Sequence, residues 1–427
     1  MKVGILGGGE SGTGAALLAR KVGDKPFISD SGQIREKYKK ELIDNHVRFE
    51  EGGHQFDILV DSDLIVISPG IPFNVPIVTQ LMDAGIRVVS EMEYAYQYMK
   101  QGKIIAITGS NGKTTTTNLV HHVLSSNGLK VLKGGNLGRC FSRLLLDELA
   151  TWYVLEVSSF QLDGIDEFTS DFGMILNVTP DHLDRYDGDF DIYKKSKLRL
   201  FENAGENSVY YYSKDTGLTK DDLKYTANIS RIKEVAWRDL RSQLDVNNPY
   251  LRGEHNLMNM AFTFRLAMDL GLSNVQVLES LQSFINDDHR MQTIAVIDGI
   301  EWINDSKATN VESTYYALKA IQKPIIWIAG GVDKGNDYAR IVKLVESSVR
   351  TIINIGRDNQ PLETAFGALE LDMIPAESME EAVRMAAARA EYGDLVLLSP
   401  ACASFDRFEN YRDRGDQFAD CVWSLLR

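Results

Sequence analysis

A lysine and a threonine directly follow a glycine loop in the stretch from Lys103 to Asn118, KIIAITGSNGKTTTTN. Gly109 and Gly112 allow backbone N–H groups to turn inward around an anion, and the N-terminus of a following helix adds its positive dipole end. Lys113 would reach the β- and γ-phosphates of a nucleotide, and the Thr114 hydroxyl would hold Mg²⁺. This stretch therefore predicts a phosphate-binding loop.

The flanking residues supply the elements that such a loop needs. An apolar β-branched run at 104–107 predicts a strand, and apolar residues at helical spacing up to Asn127-Gly128 predict a helix. The full phosphate-loop pattern would place glycine at 107, where Ile107 stands, so the loop is a variant. Ordinary turn chemistry is the alternative interpretation.

A carboxylate and an imidazole follow later in the same segment. Glu156 lies inside the apolar run VLEV, where burial is costly unless the carboxylate is paired or bound to a metal. A solvent-facing strand position is the alternative for Glu156, and a loop histidine with ordinary partners is the alternative for His182. Together with the glycine loop, the two residues predict a second Mg²⁺ site.

A second glycine pattern, G-x-G-x-x-G, opens the chain at Gly7, Gly9 and Gly12, with Asp30 at the distance of a ribose-binding acid. On spacing alone this is a dinucleotide fingerprint, and an NAD-dependent oxidoreductase is one interpretation. The same geometry can serve any nucleotide or allow close packing of helix and strand. The oxidoreductase interpretation leaves the Lys113 loop unexplained.

The elements around these residues alternate between short apolar strands and helical stretches, which indicates an α/β protein with parallel sheets. A basic helical stretch follows at 190–203, and an amphipathic helix is predicted at 254–270, where Asn256 and Asn259 either present amides to a nucleotide or cap the helix. The last part begins with a hairpin turning at Asp298-Gly299.

Composition limits the possible functions. A chain of 427 residues is expected to form two or three domains, and 46 Lys+Arg against 60 Asp+Glu give a net charge of −14. This acidic balance argues against a general binder of nucleic acid or anionic membrane. The N-terminus lacks a signal-peptide cleavage pattern and no run of eighteen apolar residues occurs, so membrane insertion is not expected. Three widely spaced cysteines indicate a reducing compartment, the cytoplasm.

These motifs, in this order, resemble the Mur ligase family of peptidoglycan synthesis over essentially the whole chain. The family's ATP loop resembles TGSNGKTTT (108–116), and its Mg²⁺ residues resemble Glu156 in LEVSSFQL and His182 in NVTPDHLDRY. Its carbamylated lysine falls on Lys197 in SKLRLFEN. The resemblance implies two Mg²⁺ ions held by Thr114, Glu156, His182 and carbamylated Lys197, with Lys113 as a further catalytic residue.

The resemblance also implies three sets of binding residues. ATP would be bound by Gly109, Asn111, Gly112, Lys113, Thr114, Thr115, Asn256, Asn259, Arg290 and Asp305. The first glycine loop would bind the UDP substrate rather than NAD, through Ser11, Asp30, Ser31, Ser68, Gly70, Asn136 and Ser158. The C-terminal loops SPACASFDRFENYRDRG and GGVDKG resemble the branch that adds D-glutamate, which implies contacts from Lys307, Thr309, Lys334, Ser404 and Tyr411.

The implied fold has three α/β domains: a Rossmann-like UDP-binding domain (1–92), a central phosphate-loop ATPase domain (93–288) and a Rossmann-like amino-acid domain (289–427). The implied reaction joins D-glutamate to UDP-N-acetylmuramoyl-L-alanine through an acyl phosphate, in a monomer that needs ATP and Mg²⁺. A sibling ligase or a folylpolyglutamate-type ligase adding another amino acid is the nearest alternative. A non-ligase ATP-binding module that recruits a protein partner is a further one.

Overall fold

The computed structural model describes residues 1–147, 149–219, 221–223, 231–333 and 335–426. The chain forms two compact units, one of Met1–Val246 with Met258–Gln282 and the other of Asn247–Leu257 with Ser283–Arg427. The predicted domain boundaries at 92 and 288 remain predictions. Within the described ranges, no helix combines the length and the apolar character needed to cross a membrane.

The N-terminal part is built on a parallel sheet of five strands in the order β3-β2-β1-β4-β5. The turn from β1 into α1 needs glycine, because Gly7 has φ of 92° and a Cβ on Gly12 would lie 1.8 Å from the Gly7 carbonyl oxygen. The strands are β1 Lys2–Leu6, β2 Lys25–Asp30, β3 Arg48–Glu51, β4 Leu64–Ile67 and β5 Val88–Ser90, and the helices are α1 Glu10–Val22, α2 Glu36–Asp44, α3 Phe56–Leu59, α4 Pro76–Asp83 and α5 Glu91–Gln97.

A second parallel sheet, of six strands, has the order β11-β10-β9-β6-β8-β7. Because β6 lies between β8 and β9, the loop that leaves its carboxyl end is flanked by the ends of both neighbours. The strands are β6 Lys103–Thr108, β7 Val131–Gly135, β8 Trp152–Glu156, β9 Phe172–Ile175, β10 Val209–Tyr212 and β11 Ile232–Glu234, and the helices are α6 Lys113–Ser126, α7 Phe141–Leu144, α8 Ser159–Leu162, α9 Phe190–Glu202, α10 Glu254–Asp269 and α11 Asn274–Gln282.

The third sheet has the order β12-β13-β17-β14-β15-β16 and is parallel except for the β12–β13 hairpin. The predicted turn is confirmed, with φ of 51° at Asp298 and 79° at Gly299. The strands are β12 Gln292–Ile297, β13 Ile300–Asn304, β14 Ile325–Ala329, β15 Val349–Asn354, β16 Asp372–Pro375 and β17 Leu395–Leu398, and the helices are α12 Val311–Ala320, α13 Val342–Ser348, α14 Gln360–Phe366, α15 Met379–Arg389 and α16 Tyr411–Ser424.

The predicted fold class is thus confirmed as α/β with three largely parallel sheets. Apolar strand residues fill the core on both sides of each sheet: Val154 and Leu155 of β8 are fully buried, as are Trp327 and Ile328 of β14. These rigid cores leave the loops at the carboxyl ends of the strands to carry polar side chains, which is where open parallel sheets bind ligands.

Candidate active site

The strand, glycine loop and helix predicted around Lys113 are present. Gly112 forms the left-handed N-cap of α6 with φ of 84°, and Gly109 has φ of 153°. A Cβ on Gly112 would lie 2.5 Å from the side-chain oxygen of Asn259, so this position has room only for glycine. The same contact places Asn259, one of the predicted nucleotide residues, against the loop.

The loop is held in shape by residues that follow β9. The backbone N–H groups of Ser110 and Asn111 donate to the carbonyl and side-chain oxygens of Asn177, at 2.9 and 2.8 Å. The Ser110 hydroxyl donates to the Thr179 carbonyl at 2.8 Å and lies 2.9 Å from the Tyr193 hydroxyl. The loop conformation is therefore set by the protein itself, which lowers the entropic cost of binding an anion there.

Two lysine side chains meet at this loop. The Lys113 ammonium donates to the carbonyls of Gly109 and Ser110 at 2.7 and 2.8 Å, and Lys197 Nζ donates to the same Gly109 carbonyl at 3.0 Å. Lys197 is only 1% exposed and lies 4.6 Å from the centre of the Tyr193 ring. Burial, together with the Lys113 charge, holds the pKa of Lys197 well below its ordinary value.

Glu156 is buried beside the loop, so the solvent-facing alternative is wrong. The residue is 4% exposed, and its carboxylate accepts hydrogen bonds from the Thr114 hydroxyl at 2.7 Å and from the Asn136 side-chain amide at 2.9 Å. The Asn136 backbone N–H also donates to the Glu156 carbonyl at 2.8 Å. The structure thus brings together Thr114 and Glu156, which were predicted to bind metal, and Asn136, which was predicted to bind the UDP substrate.

His182 is the exposed member of the predicted metal set. Its backbone is left-handed, with φ of 52°, and its ring packs edge-on against Phe160 with 5.2 Å between ring centres. Its Nε2 atom lies 3.6 Å from the Asp181 carboxylate. Across the described part of the chain, no three His, Cys, Asp or Glu side chains converge as a metal site. A hydroxyl and a lysine would therefore have to complete the predicted set.

The first glycine loop gathers two of its predicted residues. Asp30 accepts hydrogen bonds from the backbone N–H groups of Gly8 at 2.7 Å and Gly32 at 2.8 Å. The Ser68 hydroxyl donates to the Gly7 carbonyl at 3.3 Å. The remaining predicted residues of this site lie at the start of α1 (Ser11), after β2 (Ser31), after β4 (Gly70) and at the N-cap of α8 (Ser158).

In the C-terminal unit, the predicted amino-acid residues lie on the loops after β13 and β17. Lys307 Nζ is 4.0 Å from the centre of the Tyr411 ring, at the start of α16, and the Thr309 backbone N–H donates to the Lys307 carbonyl at 2.8 Å. Ser404 is buried, at 2% exposed. Lys334 lies outside the described residues.

Arg414 is a residue of this region that the sequence reasoning missed. Its guanidinium is fully buried and donates to the hydroxyl and carbonyl of Ser306 at 2.9 and 2.8 Å, and to the Cys402 carbonyl at 3.1 Å. It therefore ties the loop after β13 to the loop after β17. The signal in the sequence is that Arg414 shares one face of α16 with Phe418 and Val422, both fully buried.

Two of the other nucleotide residues predicted in this unit, Asn256 and Asp305, are hydrogen-bonded to its backbone. The Asn256 side-chain amide donates to the carbonyls of Tyr250 and Arg252, which precede α10, at 3.3 and 3.0 Å. Arg290 is half-buried. Asp305 is buried, and its carboxylate accepts from the Met291 backbone N–H at 3.2 Å and from the Ser399 hydroxyl at 2.9 Å.

Asp305 gives the unit a testable pH dependence. Burial raises the pKa of its carboxyl group from 3.8 to about 7. The folded state then holds this proton more tightly than the unfolded chain, so the stability it contributes is present below pH about 4 and is lost as pH rises through about 7. We expect Asp305→Asn to remove about 3 kcal/mol of this fall in stability between pH 4.5 and 8, measured by urea unfolding.

Asn keeps the oxygen that Met291 needs, so the fold should survive this change. Asp298→Asn, in the exposed hairpin turn, is the matched control and should leave the pH profile of unfolding as it is in the unsubstituted protein. Equal profiles for Asp305→Asn and Asp298→Asn would show that Asp305 does not hold its proton near neutral pH.

Comparison with known proteins places this arrangement in a family. Residues 2–75 match the family model of the MurD N-terminal domain, residues 107–235 the Mur ligase middle domain, and residues 289–402 the Mur ligase glutamate ligase domain. The chain is 41% identical to a UDP-N-acetylmuramoylalanine–D-glutamate ligase of Christiangramia forsetii and 42% identical to that of Cytophaga hutchinsonii, with 99% of both chains covered in each case.

Solved structures show the same fold at low sequence identity. The UDP-N-acetylmuramate–alanine ligase MurC of Thermotoga maritima superposes with a TM-score of 0.62 at 18% identity, covering all of both chains. MurF ligase of Thermotoga maritima, solved in complex with ADP, gives 0.61 at 14% identity, over 94% of this chain and 96% of that one. From the full-length relatives and the three matched domains, the chain belongs to the Mur ligase family.

Proposed function

We propose that this protein is an ATP-dependent ligase that joins D-glutamate to UDP-N-acetylmuramoyl-L-alanine. The observation that carries the proposal is the contact of Glu156 with Thr114 at the Lys113 loop, in a chain that matches D-glutamate ligases over its whole length. An NAD-dependent oxidoreductase would have no use for this second phosphate loop. A binding module without chemistry would have no use for a buried carboxylate beside it.

The phosphate loop would bind ATP through the backbone of 109–112 and through Lys113, Thr114 and Thr115. Asn259 lies against the loop, and Asn256, Arg290 and Asp305 complete the nucleotide set that the family resemblance implies. The oxygen donors of Thr114 and Glu156, 2.7 Å apart and buried, fit a hard cation such as Mg²⁺. Bound there, Mg²⁺ would neutralise charge on the transferred phosphoryl group.

Lys197 fits carbamylation because of its surroundings. Carbon dioxide reacts with a neutral amine, and burial beside Lys113 favours the neutral form of Lys197. The reaction releases one proton and leaves an anionic carbamate, which would supply oxygen donors to a second Mg²⁺ together with His182. The ammonium form would repel the same ion.

The chemistry then needs charge neutralisation and positioning more than covalent help from the protein. A carboxylate oxygen of the muramoyl-alanine attacks the γ-phosphorus, and ADP leaves with the electrons of the broken bond. The amine of D-glutamate attacks the acyl carbon, loses a proton and displaces inorganic phosphate. Lys113 would hold the γ-phosphoryl oxygens during the first step, where negative charge is spread over them.

The UDP-substrate would occupy the first glycine loop, through Ser11, Asp30, Ser31, Ser68 and Gly70. Asp30 shapes this loop by accepting two of its backbone N–H groups. Asn136 and Ser158 would meet the muramoyl-alanine end, since Asn136 already contacts Glu156. D-glutamate would be bound by Lys307, Thr309, Lys334, Ser404 and Tyr411, a set whose two lysines suit a dicarboxylate in a protein of net charge −14.

Arg414 is expected to set the affinity for the amino acid. Arg414→Lys removes two of the three bonds that join Ser306 to Cys402, so the loops carrying Lys307 and Ser404 lose their fixed spacing. We expect the KM for D-glutamate to rise about tenfold, as for the loss of a charged hydrogen bond. Steady-state kinetics should show the KM for ATP changing less than twofold. Equal increases in both constants would contradict this role.

The direct test of the proposed function is phosphate release from ATP and Mg²⁺ with UDP-N-acetylmuramoyl-L-alanine, across a panel of D- and L-amino acids. Release confined to D-glutamate supports the reaction and the subtype together. Release with another amino acid keeps the mechanism and moves the chain to a sibling ligase. No release with any amino acid contradicts the proposal. The monomeric state and the cytoplasmic location remain predictions.

A further inference from the structure

Glu10 occupies an unexpected position for a loop that is proposed to bind a diphosphate. It is the first residue of α1, directly after the glycines of GGGESG, and no side-chain cap is present at Gly9. When no ligand is bound, a carboxylate at the N-terminus of a helix is stabilising, because it lies near the positive end of the helix dipole. The same charge would repel an anionic ligand that uses the same helix end.

Arg143 holds this carboxylate. Its Nε atom lies 2.9 Å from Glu10 Oε1, and its two terminal nitrogens donate to both oxygens of Glu41 at 2.6 and 2.7 Å. The guanidinium is 13% exposed, so water screens these contacts only partly. One guanidinium contacts two carboxylates, and its removal would leave both without this cation: Glu10 at the glycine loop and Glu41 near the end of α2.

The close approach of Arg143 to α1 depends on a glycine. A Cβ on Gly14 would lie 2.2 Å from the Cys140 sulfur and 3.0 Å from Cγ of Arg143. The buried carboxylate of Glu91 accepts the Ser142 backbone N–H and fixes the start of α7 from the other side. The position of Arg143 relative to the glycine loop is therefore set by packing and not by the ion pair alone.

The segment 136–143 also reaches the phosphate site. Asn136 contacts the Glu156 carboxylate at 2.9 Å, and the Cys140 backbone N–H lies 3.4 Å from Glu10 Oε1. A substrate that binds its diphosphate at the first glycine loop and presents a carboxylate near Glu156 would run alongside this segment. Arg143 thus lies on the segment that connects the expected diphosphate site with the expected site of the substrate carboxylate.

We propose that Arg143 is a positioning residue for the UDP-linked substrate: it pairs with the Glu10 carboxylate and offsets its charge at the N-terminus of α1, which keeps that helix end able to accept the diphosphate. This inference rests on the proposed function. The pair of Glu10 and Arg143 would allow a glycine loop that is followed by a glutamate to bind an anionic ligand. Arg143 itself does not touch the substrate.

Calorimetric binding of UDP-N-acetylmuramoyl-L-alanine to the full-length protein tests this. Arg143→Met is expected to weaken binding about tenfold, because an unpaired Glu10 opposes the anion at the helix end. Glu10→Gln alone should change affinity less than twofold. The double variant should return to within about threefold of the unsubstituted protein, since the opposing charge is gone. Arg20→Met is the matched control: Arg20 is exposed in the last turn of α1, at the opposite end of the helix from Glu10, and its loss should leave binding unchanged.

Each outcome is decisive. An Arg143→Met protein whose weak binding is not restored by Glu10→Gln would show that Arg143 acts through packing alone, and unchanged binding by Arg143→Met would show that it does not act at all; both overturn the inference and leave the proposed function standing. If Arg143→Met does not fold, Arg143→Gln with and without Glu10→Gln gives the same comparison, because glutamine keeps a polar side chain at 143 but removes the charge. No binding by the unsubstituted protein overturns the UDP-site assignment together with this inference.

Discussion

Lys113→Ala is expected to reduce phosphate release from ATP by at least about a thousandfold, because transferred phosphoryl groups depend on fixed cationic donors. In the structure the Lys113 ammonium lies over the carbonyls of Gly109 and Ser110, at the mouth of the loop. A bound nucleotide would compete for this ammonium with two neutral oxygens, and phosphate oxygens are the stronger acceptors. The substitution removes the charge without removing the loop.

The measurement is coupled phosphate release with saturating ATP and UDP-N-acetylmuramoyl-L-alanine. Lys103→Ala is a suitable control, because Lys103 is exposed at the opposite end of the same strand and lies against the Trp152 ring. It should retain activity within about twofold, as is usual for exposed positions away from the site. A Lys113→Ala protein that kept a tenth of the activity would mean that the phosphates bind elsewhere.

The buried strands and their loops were accessible from the sequence because their signal is local. Apolar β-branched runs such as 104–107 and 325–329 can hardly form anything but buried strands, and glycines next to them mark the loops. The strands that were not singled out are β3, β10, β11 and β16, with the sequences RFEE, VYYY, IKE and DMIP. Three of them, β3, β11 and β16, are edge strands and only partly buried, so they need no apolar run. The fourth, β10, lies between β9 and β11 with its three tyrosines buried, so its aromatic run was a strand signal that the sequence reasoning missed.

The residues of the site also differ in how far a local sequence pattern predicts them. Gly112, Lys113 and Thr114 are consecutive, and their roles follow from a short pattern. The burial of Glu156 against Thr114 depends on β6 and β8 being neighbours in the sheet, which no local pattern shows. Arg414 is indicated locally only by its place on the buried face of α16, and Arg143 is recognised only by its contacts with Glu10 and Glu41, which are far away in sequence. From sequence alone, an arginine in a helix is interpreted first as a solvent-exposed residue.

Lys197→Met should change activity and stability in opposite directions. The ligase reaction is expected to fall by at least about a hundredfold, since methionine can neither carry a carbamate nor hold a charge beside the loop. The fold is expected to gain about 1–2 kcal/mol near neutral pH, because a buried amine without a carboxylate partner is exchanged for an apolar side chain of similar size. Lys197 donates its hydrogen bond to the Gly109 carbonyl, and that carbonyl keeps Lys113 as a donor.

The direction in which the stability difference changes with pH distinguishes the removal of a buried amine at Lys197 from a simple improvement in core packing. Because folding lowers the pKa of Lys197, the unfolded chain binds more protons between that lowered value and the ordinary 10.5, and the unsubstituted protein gains stability as pH rises through this window. The advantage of Lys197→Met should therefore be largest at low pH and shrink toward alkaline pH. Urea unfolding in carbon-dioxide-free buffer would measure it.

Lys195→Met provides the comparison, because Lys195 is exposed on the same helix and should change neither activity nor stability appreciably. Mass spectrometry and ¹³C NMR under ¹³CO₂ would report the carbamate on the unsubstituted protein and its loss in Lys197→Met. Retained ligase activity in Lys197→Met would remove the carbamate from the mechanism. A loss of stability in that variant would contradict the assignment of a neutral, uncompensated amine to Lys197.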